Sequence, residues 1–168
     1  VCPQPGVTHD AFSERAMQRS HMTAGTARSL VFERLMPHPP EKIWRALTQS
    51  WLMKEWLMEN DFVAEVGHRF TVRAAPLPGW SGVTHCEVVT VDAPRRLAYR
   101  WGDGTESVNH LVTLVTWTLV LQNTGTLVRM EQSGFGPDDG HSFERMGGRW
   151  PDMLARLDHV AGGAETNV

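Results

Sequence analysis

His85, Cys86 and Glu87 are the residues of this 168-residue chain whose types and spacing most directly invite chemistry. In an extended segment residues i and i+2 share a face, so His85 and Glu87 would lie side by side. With His110 as a third ligand they could approach a metal site, and a desolvated Glu87 could serve as a general base. The plainer alternative, an isolated His and Glu on a strand, is favoured. No H-E-x-x-H, C-x-x-C or related ligand spacing is present. Cys86 would point away from His85 and so lacks the adjacent base that a nucleophile needs. The glycines do not make a nucleotide site either, because Asp139 stands where Gly134-Phe135-Gly136 would need its third glycine. Gly140-His141-Ser142-Phe143-Glu144 lacks the final glycine of a nucleophile elbow. No metal and no cofactor are therefore expected, and catalysis by Glu87 or His85 stays as the lesser alternative.

A second kind of chemistry lies in the apolar residues, since seven tryptophans accompany a single tyrosine. Alternation predicts strands over Ser29–Leu35, Phe62–Val66, Arg69–Ala75, Gly82–Val91, Leu97–Trp101, Leu111–Leu121 and Leu127–Gln132. The last two flank Gln122-Asn123-Thr124-Gly125, a hairpin signal. Pro40 opens a short helix carrying Ile43, Trp44 and Leu47, and Ser50 is placed to cap a second one reaching Met58. Phe143, Met146, Trp150, Met153, Leu154, Leu157 and Val160 recur at intervals of three and four, one apolar stripe of a closing helix. Pro151 inside that stripe should kink the helix or restart it. A curved antiparallel sheet must cover its apolar face, and only this last helix is long enough to do so.

Strand alternation then groups the residues of a candidate cavity: Tyr99 and Trp101 with Leu97, Val115 and Trp117 with Leu119, Val128, Met130 and Gln132, and His85, Glu87 and Val89. Phe143, Met146 and Trp150 face them from the helix. An aromatic, Met-rich interior with a few polar atoms is what a small-molecule pocket requires. Gln132, His85, Glu87 and Tyr99 would orient the ligand. The competing possibility is an ordinary core in which the tryptophans fill the volume.

The remaining composition narrows the class. Hydrophobic residues make up 41% and charged residues 21% of the chain, which is globular usage. No segment resembles a membrane span. The net charge of -3 and the lack of a basic cluster longer than Arg95-Arg96 argue against nucleic acid as the partner. The arginine preference over lysine is read as compositional. Two distant cysteines suit a reducing compartment, so a cytoplasmic location is expected. Residues 1–26 show no sustained apolar period and are read as a flexible leader, with a short helix over Thr8–Ser20 and Met22 as a natural start. One domain over 27–162 and a tail over 163–168 complete the division.

The order strand, two short helices, antiparallel strands and closing helix resembles the START-like helix-grip fold. More narrowly it resembles the family named after the activator of heat-shock protein 90 ATPase. The match is carried by Pro40-Glu-Lys-Ile-Trp-Arg-Ala-Leu-Thr48 with Lys54-Glu-Trp56, and by Val66-Gly67-His68-Arg69-Phe70, where His68 replaces a usual glycine. Further matches are Val91-Asp92, Pro94-Arg-Arg-Leu97, Trp101, Val115-Thr-Trp-Thr-Leu119, Gly125-Thr126-Leu127, Ser133-Gly134-Phe135 and the Trp150–Leu157 helix. The resemblance implies an α+β fold, a curved antiparallel sheet gripping a long C-terminal helix. It also implies one of three activities: binding a small hydrophobic or aromatic ligand, cyclase or hydrolase catalysis in the same cavity, or activation of a chaperone ATPase in a stress response. The chaperone partner ranks last, and a homodimer is an option.

Overall fold

In the computed structural model, residues 28–105 and 110–163 are described. The expected leader, the start at Met22 and residues 164–168 of the expected tail lie outside them, while Gly163, expected to open that tail, ends the last helix. Strand β1 (Arg28–Met36) is followed by helices α1 (Pro40–Thr48) and α2 (Ser50–Trp56). Strands β2 (Glu59–Asn60), β3 (Arg69–Arg73), β4 (Val83–Asp92), β5 (Arg96–Trp101), β6 (Thr113–Gln122) and β7 (Gly125–Phe135) come next, and helix α3 (Gly140–Gly163) closes the chain. All strand pairs are antiparallel, in the order β1-β7-β6-β5-β4-β3-β2. This is the helix-grip arrangement expected from the pattern of elements. No helix among the described residues is long and apolar enough to cross a membrane.

Each turn between elements has a local cause. Pro40 occupies the first position of α1, where its missing N–H costs nothing. Gln49 alone separates the two short helices: its N–H donates to the Arg45 carbonyl while it stands as the residue before α2. Ser50 is thus the first residue of α2 and not its cap. The β6–β7 hairpin closes through Asn123-Thr124, with Gln122 paired to Gly125. A Cβ on Gly125 would overlap the Met36 carbonyl, so glycine lets the hairpin cross the end of β1.

The expected strand over Phe62–Val66 is a loop, and side chains explain why. The Asn60 amide donates to the carbonyls of Ser50 and Met58, and its oxygen accepts the Phe62 N–H. Asp61 accepts the Thr71 N–H at 2.6 Å, which also holds its carboxyl below the ordinary carboxylate range. Local side-chain bonds thus occupy groups that a ladder would use.

Helix α3 runs unbroken through Pro151. The expected kink or restart is replaced by a continuous helix whose proline lies on the exposed side, where the carbonyl left unpaired can meet water. Its opposite stripe, Trp150, Met153, Leu154, Leu157 and Ala161, is buried. The far end is tied down by Asp158, which accepts from Arg34 Nε at 2.9 Å and meets His38 Nε2 at 2.7 Å. Gly148, exposed in the middle of α3, has open space where a Cβ would sit. Gly148→Ala should therefore raise stability by about 0.5–1 kcal/mol, read as a higher urea midpoint with unchanged slope.

Candidate functional site

The hollow under α3 is filled along most of its length by aromatic rings. Trp56 from α2, Trp117 from β6 and Trp150 from α3 are fully buried and meet edge to face, with centroids 5.6 Å apart for Trp56–Trp117 and 5.7 Å for Trp117–Trp150. Such geometry sets the positive edge of one ring on the negative face of the next. Each indole N–H has an acceptor. Trp56 donates to the Ala46 carbonyl at 2.8 Å, Trp117 to Tyr99 Oη at 3.0 Å, and Trp150 to Gln132 Oε1 at 2.8 Å. Gln132 Nε2 in turn donates to Thr113 Oγ1 at 3.0 Å. Among the described residues no buried side-chain N or O lacks a partner, and burial pushes the Tyr99 hydroxyl pKa well up.

Where the tryptophans end, a cavity of about 120 Å3 remains between the N-terminal half of α3 and the β4–β7 part of the sheet. Its floor is Trp101, Thr113, Gln132, Phe135 and Trp150, and its walls are Leu57, Met58, Trp80, Leu111, Met146 and Met153. Leu77, Gly79, Arg145 and Arg149 are exposed and form the mouth. Trp80 is oriented by donating to Thr84 Oγ1 at 3.1 Å. The volume is close to that of an engineered dry cavity that takes up benzene.

Of the residues expected to line a cavity, the structure brings Trp101, Gln132, Met146 and Trp150 to it. Val115, Trp117, Val128, Met130 and Tyr99 are packed in the core instead. Phe143 stacks edge-on against Phe135 at 5.3 Å, under the Arg28 guanidinium. His85, Glu87 and Val89 require a correction, because the phase of β4 is the reverse of that expected. Cys86 pairs with Trp101 and Val88 with Tyr99, so Thr84, Cys86 and Val88 face inward. His85 and Glu87 face outward, with Glu87 3.4 Å from Arg100. Val89 falls at the register shift between Val88 and Thr90, a bulge that leaves one residue without a partner.

His85 and Glu87 line a separate polar groove of about 530 Å3 on the outer face, with Asp61, Arg69, Thr71, Arg100 and Asp103. Glu87 is partly exposed and ion-paired there, so it lacks the desolvated setting expected of a cavity base. Among the described residues no three His, Cys, Asp or Glu side chains converge to hold a metal. His110 Nδ1 lies instead 2.7 Å from the Gly104 carbonyl oxygen.

Sequence reasoning missed the mouth, every wall residue except Met146, and Thr113 and Phe135 of the floor. Leu57, Met58, Leu77 and Trp80 sit on connecting segments with no period to reveal them. Arg145 and Arg149 could have been found, since they lie one residue before Met146 and Trp150 on the same turns of α3.

This sheet, closed by one long helix over a cavity, defines a helix-grip fold. The chain belongs to the family described as activator of Hsp90 ATPase homolog 1-like protein, whose model matches residues 37–162. It is similar to the crystal structure of protein MLL2253 from Mesorhizobium loti, with 44% identity and a TM-score of 0.73 over 79% of this chain and 96% of that one. It is also similar to the solution structure of protein BH1534 from Bacillus halodurans, with 28% identity and a TM-score of 0.66 over 81% and 99% of the two chains. The fold alone is shared with the Aha1 dimer from Colwellia psychrerythraea, at 20% identity and a TM-score of 0.66 over 78% and 93%. No curated protein matches the chain.

Gln132 is the polar hinge of this region, and an apolar replacement orphans the Trp150 N–H. Gln132→Met should cost about 1–3 kcal/mol in urea unfolding. An unchanged midpoint would mean the indole finds another acceptor.

Proposed function

We propose that this chain binds a small apolar or aromatic molecule, one ring inserted in the cavity between the sheet and the N-terminal half of α3 and the rest emerging at the mouth. The observation that carries this is the contrast between the two ends of the grip. One end is packed solid by three interlocked tryptophans, while the other keeps an open space walled by Leu, Met and Trp side chains. Methionines such as Met58, Met146 and Met153 adapt to varied ligand shapes. The polar groups on the floor, Gln132 and Thr113, already bond each other and Trp150, so a purely apolar ring loses nothing by lying over them. Membership of a helix-grip family supports the same reading.

Size limits the affinity. Removing about 150 Å2 of ring surface from water at ~25 cal/mol per Å2 gives roughly 4 kcal/mol, a millimolar dissociation constant for the ring alone. Tighter binding must come from the part of the ligand at the mouth.

Titration of 15N-labelled protein with 3-phenylpropan-1-ol should give saturable shifts confined to amides around Trp101, Met146 and Met153. Met146→Trp, which fills the space, should abolish them while leaving the rest of the spectrum intact. Shifts scattered over the surface, or surviving in that variant, would contradict the proposal.

A further inference from the structure

The charges at the cavity mouth say what the emerging part of the ligand carries. The lining residues include two arginines, Arg145 and Arg149, and no carboxylate. This local excess of positive charge lies in a chain whose net charge is -3. Arg34, Lys54, Arg95, Arg100 and Arg129 each meet an acidic side chain. Arg145 and Arg149, like Arg45, Arg69, Arg73, Arg96 and Arg156, form no ion pair among the described residues, and these two alone of that group line the cavity. They stand four residues apart on one face of α3, about 6 Å along its axis, where like charges repel and disfavour the helix. Ser142, one turn earlier, lines the same opening with a hydroxyl.

Resting on the proposed apolar binding, we propose that the natural ligand is an acid: an apolar ring or short branched chain in the cavity, with a carboxylate held at the mouth between Arg145 and Arg149. A guanidinium presents its N–H donors in a planar fork that matches a carboxylate. The two cations relieve their mutual repulsion by sharing one anion. The carboxylate stays at the solvent edge, so it keeps part of its hydration while the ring is buried.

The test compares three probes with the same ring, 3-phenylpropanoate, 3-phenylpropan-1-ol and 3-phenylpropylamine, by 15N chemical-shift titration at about 0.01 M ionic strength. The acid should bind about five-fold more tightly than the alcohol, as two solvent-edge ion pairs allow, and the amine most weakly. In the double variant Arg145→Met with Arg149→Met the acid should fall to the level of the alcohol measured in that same variant. In about 1 M salt the wild-type preference should shrink toward one. Both arginines are exposed, so the substitutions leave the core untouched. Equal binding of acid and alcohol, or an acid preference that survives in the double variant, would overturn the carboxylate seat while leaving the apolar site standing. Failure of all three probes to bind would overturn both.

Discussion

An indole buried away from water must find an acceptor for its N–H, and that requirement organises this molecule. Trp150 lies fully buried beneath α3 and reaches Gln132 on β7. Its ring edge meets Trp117 on β6, which meets Trp56 on α2. One side chain therefore fixes the depth and rotation of the closing helix against the sheet and, through the ring contacts, against the short helices. Moving α3 by one residue would break the hydrogen bond and the stack together, so the helix has one seat.

The cavity follows from that seat. C-terminal to Trp150, the helix is held by Leu154, Leu157 and Ala161 in the core and by Asp158 on Arg34 and His38. N-terminal to it, Phe143 packs on Phe135 of β7, while Met146 and Ser142 line the space that remains beside Trp101 and Leu111. The space left is a consequence of side-chain size along one helical face. The glycines strengthen the asymmetry, since Gly147 lets α3 come close to Leu30 on β1, leaving the gap on the opposite flank. Family membership fits this architecture, in which a shared frame can hold different cavities according to a few side chains.

Much of this was legible in the residues. The apolar stripe from Met146 to Leu157 announced the closing helix, and the inward faces of β5, β6 and β7 followed from plain alternation. The inward face of β4 is legible in Cys86 and Val88, its apolar alternates, whereas taking His85 and Glu87 as a chemical pair in the cavity selects the opposite face. How full the hollow would be was not legible, because a run of tryptophans specifies volume and not whether partners interlock. The mouth was hidden for a different reason. Leu77 and Trp80 reach it from an irregular loop, and Arg145 and Arg149 look like ordinary solvated charge until their place at the opening is seen in three dimensions.

Xenon occupies apolar voids and passes over packed ones, so diffraction from a xenon-pressurised crystal maps the interior directly. The account predicts one xenon site, beside Trp101, Met146 and Met153, and none among Trp56, Trp117 and Trp150. Xenon density between those three rings, or an empty site at Met146, would contradict it.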